Sequence, residues 1–224
     1  MTKKEIIWTV VKTVGLIVLV VAIGCGVGYI IHTTVKSTDS EEAQYHTRDA
    51  YVHRLESKFD AAREALAIEV DNYIQAVAPN AVVDALNLID LCSNYGVDIR
   101  FVLAQGHVES HFATKGTARR TNSIFNVGAY DGHSANKQIK NGFGYKHPDY
   151  SVEPYLILLT TRYLIDGKTE QDLLDKFVDK DGKRYASSKT YETMLKDRTE
   201  KMDSIANITG TYEVYCKYKL MLGR

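Results

Sequence analysis

Residues Thr13 to Ile31, TVGLIVLVVAIGCGVGYII, carry no charged side chain, and the stretch is close to the ~20 apolar residues that a bilayer-spanning helix needs. It reads as a transmembrane helix. Lys3, Lys4 and Lys12 lie on its amino-terminal side and Lys36 beyond it, so the bias in positive charge puts residues 1–12 in the cytoplasm and the remainder outside. A cleaved signal peptide is the competing reading, but its apolar region spans only ~7–15 residues and ends at a small-x-small site. Here the apolar run continues past every such site. AIGC, ending at Cys25, resembles a lipoprotein cleavage box imperfectly, because Ala22 stands where a larger aliphatic is expected. Gly24 and Gly28 form a G-x-x-x-G pair that lets two such helices approach closely, one route to a homo-oligomer.

Behind the apolar run, residues 32–48 are polar, lack periodicity and read as a juxtamembrane linker. Val52, Leu55, Phe59, Ala62 and Leu66 then recur at alternating spacings of three and four, the stripe of an amphipathic helix over 49–78 that ends at Pro79. That helix is either a stalk, a second route to oligomers, or an element packed on the domain that follows. Lys+Arg and Asp+Glu balance at 28 each, so no global basic field recruits nucleic acid. Cys25, Cys92 and Cys216 have neither the parity of a disulfide framework nor metal-ligand spacing. The 15 tyrosines are the unusual feature of the composition.

The chemistry concentrates further along. Val82, Val83, Leu86, Ile89 and Leu91 lie at helical spacing, Gly96 fits a helix stop, and Asp98 is a plausible N-cap for a second helix, IRFVLAQGHVES. On that helix Gln105 and Glu109 are one turn apart on one face. Glu109 sits near the carboxyl end, where the partial negative charge of the helix and partial burial both push a carboxyl pKa upward. A carboxyl protonated near neutral pH is what a general acid requires. His107 and His111 imitate the outer ligands of HExxH, but the string is HVESH and the acid does not follow the first histidine. No metal and no cofactor is expected. His107 is expected packed beside the helix, and His111 at a cleft rim, where its protonation would tune Glu109.

The stretch FVLAQGHVESHFATKGTARRTNSIFNVGAYDG resembles the core of the glucosaminidase family of peptidoglycan hydrolases, members of the lysozyme-like superfamily. The family motif runs lAQ-x-x-xES-x-x-G-x-S and then N-x-L-F-G-I; it aligns with Ala104-Gln105, Glu109-Ser110 and the run Asn122-Ser123-Ile124-Phe125-Asn126-Val127. RYASSKTYETMLKDRTEKM resembles the family's YATD-x-x-Y element and following helix, with Tyr185 and Tyr191 at the tyrosine positions, and DYSVEPYLILLTTRYL resembles the helix between. The resemblance covers residues 72 to 205. It implies a mainly helical, lysozyme-like domain, with Glu109 as catalytic acid and Tyr185 lining the site opposite it. Gln105, His111, Asn122, Phe125, Tyr130 and Tyr191 are the expected substrate-binding residues. Three departures fall on the site wall: Asn126 replaces a glycine, Ser123 an asparagine, and Ala186-Ser187-Ser188 lacks the aspartate.

Glycoside hydrolysis also uses a group that activates water or traps the sugar cation. Asp131 in YDGH is the first candidate, with Asp149 and Glu153 behind it; the substrate's own N-acetyl group or a tyrosine is the alternative. The glycine-punctuated stretch between Val127 and His147 is expected to form a small β-hairpin lobe over the cleft. Residues 206–224 read as a tail in which tyrosines alternate with polar residues, compatible with a short strand.

The expectation is therefore a single-pass membrane protein with its peptidoglycan hydrolase outside. An endo-β-N-acetylglucosaminidase is the leading reading; a lysozyme or lytic transglycosylase, or a non-catalytic wall-binding tether, are the rivals. A bacteriophage lytic protein and a host autolysin fit equally.

Overall fold

The structure, a computed structural model, describes residues 47–127, 142 and 144–224. The transmembrane run at 13–31, Tyr130, Asp131 and most of the expected β-hairpin lie outside the described residues. Among the described residues no helix is long and apolar enough to cross a membrane. The chain divides into two compact units, Met1–Leu55 and Glu56–Arg224. In the first, residues 47–55 are helical.

The second unit is helical, and among its described residues the β-structure is one isolated antiparallel bridge, Val178 to Arg184. Its first helix, α1, covers residues 56–77. It buries Phe59, Ala62, Leu66, Val70, Tyr73 and Ile74 in the same apolar core as the helices that follow. Those helices are α2 (Ala85–Tyr95), α3 (Ile99–Ser110), α4 (Ala118–Thr121), α5 (Val152–Leu158), α6 (Glu170–Asp175), α7 (Tyr191–Lys201) and α8 (Ile208–Met221). A π-turn, Leu159–Tyr163, extends α5.

Local chemistry sets the boundaries of the two central helices. The Asp84 carboxylate accepts from Asn87 N–H at 3.1 Å to start α2, and Gly96 ends it at φ 66°. Asp98 starts α3 by accepting from Arg100 N–H at 2.8 Å. Capping of this kind satisfies amide donors that a helix start leaves orphaned. Helix α3 is buried nearly all round, from Ile99 through His107, and packs along α7.

The end of α3 is unusual. His111, Phe112 and Ala113 all have positive φ, at 48°, 54° and 66°, a conformation that costs an L-residue roughly 1–2 kcal/mol. The reversal tucks the Phe112 ring back under its own helix, where it is buried edge-on to Tyr73 at 6.3 Å. Gly106 makes the room: a Cβ there would meet Phe112 Cε1 at 2.9 Å and Ile124 Cγ2 at 3.1 Å. Replacing a helical glycine with alanine normally stabilises by about 1 kcal/mol. Here the collision is with a buried ring, and overpacking of that kind costs about 1–3 kcal/mol. Gly106→Ala is therefore expected to lower the thermal midpoint, and a raised midpoint would show that the turn relaxes freely.

Residues 206–224 depart from the expected tail. Most of them, Ile208–Met221, form α8, which buries Ile208 and Tyr215. The Tyr215 hydroxyl donates to Ser93 Oγ at 2.9 Å, and Lys219 Nζ to the Ser93 carbonyl at 3.1 Å. The two-residue alternation of Tyr212, Val214 and Cys216 suggests a strand, but Tyr212, Tyr215, Cys216 and Lys219 also lie at helical spacing. Those four face one cavity beside α2, so packing selected the period.

Candidate active site

Glu109 lies in the last turn of α3, half-buried, and two side chains hold its carboxyl. The Tyr191 hydroxyl, from the first turn of α7, donates to Oε1. Asn126 Nδ2 donates to Oε2 at 3.1 Å and to the main-chain carbonyl of Glu109, also at 3.1 Å. Burial pushes this carboxyl above the ordinary glutamate range, and the Tyr191 and Asn126 hydrogen bonds only partly oppose it. A carboxyl so placed keeps its proton to higher pH than an exposed glutamate.

Tyr191 is itself oriented. Gln105 Nε2 donates to its hydroxyl oxygen at 3.1 Å, and Gln105 Oε1 accepts from the Tyr155 hydroxyl of α5. Because the Gln105 amide oxygen is taken by one tyrosine, its NH₂ must face the other, and the Tyr191 proton points at Glu109. The expected shared face of Gln105 and Glu109 thus exists, with Tyr191 between them. Gln105, Phe125 and Tyr191 are buried, at 0, 1 and 4 % exposure, so they offer a ligand almost no surface. Phe125 stacks on Tyr155 at 3.7 Å.

Tyr185 is half-buried and sits beside Tyr191 rather than free in a cleft. Its ring lies 4.5 Å from Phe177 and 5.7 Å from Tyr191, and its hydroxyl donates to the Phe125 carbonyl at 3.0 Å. Burial, then the charge of Glu109, pushes its pKa well above the usual range, so it stays a neutral donor. Asn122 spends its amide on the Tyr145 carbonyl at 2.9 Å from a left-handed backbone, φ 51°. The fallback carboxylates are also engaged: Asp149 accepts from the Asp84 N–H at 3.0 Å and Glu153 from the Tyr95 hydroxyl at 3.0 Å.

The histidines differ from expectation in charge. The His107 ring is buried against the Tyr73 hydroxyl at 2.9 Å. Burial, then Arg198 and neighbouring cationic groups, pulls its pKa down to about 4. His111 packs edge-on to it at 4.7 Å, and burial with Lys115 and Arg198 likewise lowers its pKa. At neutral pH both rings are neutral, so His111 supplies no positive charge to tune Glu109. Among the described residues no group of three His, Cys, Asp or Glu side chains is arranged to hold a metal ion.

Several residues in the network had no role assigned from sequence. Ser110 Oγ donates to the Ile124 carbonyl and accepts from Ala113 N–H, each at 2.7 Å, and Ser151 Oγ accepts from Ile124 N–H at 3.0 Å. Together they pin the 123–126 loop beneath the end of α3. The sequence carried a signal without a role: Ser110 is the serine of the aligned Glu109-Ser110 pair, and Ser151 and Tyr155 sit in the family-like stretch DYSVEPYLILL.

Residues 85–204, more than half of the 224-residue chain, match the family model for Glucosaminidase, described as mannosyl-glycoprotein endo-beta-N-acetylglucosaminidase. No curated protein and no solved structure matches significantly.

Proposed function

This chain belongs to the glucosaminidase family and is a glycoside hydrolase acting on peptidoglycan; from that premise we propose that it is an endo-β-N-acetylglucosaminidase whose general acid is Glu109. The observation that carries the proposal is the Glu109 carboxyl, raised in pKa by burial and gripped on both oxygens by Tyr191 and Asn126. In the reaction Glu109 gives its proton to the glycosidic oxygen as the bond from the anomeric carbon breaks. The bond's electrons leave with that oxygen, water adds its oxygen to the anomeric carbon to complete the hemiacetal of N-acetylglucosamine at the new reducing end, and the proton this water loses leaves through solvent, from which Glu109 is reprotonated. As negative charge develops on Glu109, the Tyr155–Gln105–Tyr191 chain and Asn126 both strengthen their hold on it, because hydrogen bonds to an ionised acceptor are stronger.

We place the hydrolase outside a membrane that residues 13–31 span, on the strength of the uncharged run and the flanking lysines. Retention of the full chain in alkali-washed membranes checks the anchor; release into the wash rejects it. Mass spectrometry of digested sacculi checks the bond. New reducing-end N-acetylglucosamine is expected, whereas anhydromuramic or reducing muramic ends would assign the cut to the other linkage.

A further inference from the structure

Asn126 stands where the family's motif has glycine, and its backbone, at φ 52°, explains why so few residues fit. Glycine adopts this left-handed region freely and asparagine is among the few others that tolerate it. Unlike glycine, asparagine brings a carboxamide, and here that amide spans the backbone and side chain of one residue, Glu109. The amide cannot usefully turn over: the Glu109 main-chain carbonyl needs a donor, so the NH₂ end faces Glu109 and the carboxyl meets a donor at Oε2 as well as at Oε1.

We propose that Asn126 is a positioning residue for the general acid, a clamp that fixes the Glu109 rotamer and leaves Oε2 as the oxygen that carries and delivers the proton. The assignment to Oε2 follows from the other side of the carboxyl. Oε1 faces the Tyr191 proton, and Tyr191 does not reverse because Gln105 turns its Nε2 donor toward it and its Oε1 toward Tyr155, so the acceptor for the Tyr191 proton is Glu109. The proton therefore resides on Oε2, whose remaining lone pair accepts from Asn126. Once the proton is given away the same N–H is in place to hold the anion, so the clamp favours release as well as aim.

The inference rests on Glu109 being the acid, and its readout is the alkaline limb of the pH dependence of kcat/KM. The other titratable groups facing Glu109 are Tyr191 and Tyr185 and, from α5, Tyr155, all pushed well above the ordinary tyrosine range. On its own helix and the turn after it, His107 and His111 are held toward the neutral form, with Lys115 and Arg198 acting on them. The tyrosines titrate far above the limb and His107, at about 4, below it; the limb is assigned to Glu109 by its loss in Glu109→Gln and by its persistence in His111→Gln, which removes the one other group shifted toward the same range.

Asn126→Gly keeps the backbone geometry and removes the donor. The limb is expected to move up by about one pH unit, the size set by losing one hydrogen bond to a carboxylate. Asn126→Asp keeps the shape and puts a second carboxyl against Oε2, so the limb moves further up, in the manner of paired carboxyls sharing a proton. A limb that stays in place in either folded variant overturns the clamp. Glu109→Gln in the same full-length protein separates the two levels. If it stays active, the acid assignment fails; if it is inactive while the limb of the Asn126 variants stays put, only the clamp fails.

Discussion

Glu109→Gln is expected to lower kcat on peptidoglycan by roughly 10²–10⁴-fold, the contribution of a positioned general acid, and to remove the dependence of stability on pH that its carboxyl carries. The two halves of this result have one cause. Burial penalises the anion of Glu109, so the folded protein binds this proton more tightly than the unfolded chain does. The sign follows. Stability tied to this proton is fully present below the ordinary glutamate value and is lost as pH rises through the raised folded value. An uncharged amide removes that pH dependence; it still accepts from Tyr191 through its oxygen, but its NH₂ then meets the Asn126 NH₂, a contact that costs the same at every pH. Activity of the parent falls over the same rise in pH, because the acid form is the competent one. Thermal unfolding of parent and variant from pH 4 to 8, beside release of reducing sugar, measures both. A variant that keeps its rate removes Glu109 from the mechanism; one that loses its rate because it no longer folds at the assay temperature reports a folding defect instead.

Leu66→Ala should lower the thermal midpoint steeply, although Leu66 lies outside the residues matched to the family. The Leu66 side chain is fully buried, and it shares the α1 face with Val70, Tyr73 and Ile74. Tyr73 in turn meets His107 at 2.9 Å and the Phe112 ring edge-on, so α1 underlies the turn that follows Glu109. Truncating a fully buried leucine costs about 2–5 kcal/mol through lost transfer energy and the cavity left behind. For a unit of this size that is roughly 5–15 °C. Ile68, on the opposite face and 61 % exposed, is the control: Ile68→Ala is expected within about 0.5 kcal/mol of the parent. An unchanged midpoint in Leu66→Ala would mean that residues 56–77 are a free-standing stalk and no part of the hydrolase core.

The division between what was legible and what was not follows the range of the forces. Asp84, Gly96 and Asp98 mark α2 and α3 in the sequence because a cap acts on amides two or three residues away. The spacing of Gln105 and Glu109 is equally local. The two-residue alternation of Tyr212, Val214 and Cys216 suggests a strand in the tail, yet Tyr212, Tyr215 and Tyr218 recur every third residue, and contact with Ser93, more than a hundred residues earlier, accompanies the helix. Gln105 and Phe125 lie buried, which the motif did not foretell, because a motif records identity and order but not which side of a residue meets solvent.

By itself the sequence determined that an acid would stand at the carboxyl end of an apolar helix with a glutamine one turn behind it, since periodicity and capping are written into neighbouring residues. Only the tertiary structure decided that this acid is held by Tyr191, 82 residues away, and by Asn126, 17 residues away, and that His107 and His111 stand uncharged beside it. Burial and partnership are properties of chain segments brought together by packing, and the proton affinity of Glu109 depends on both.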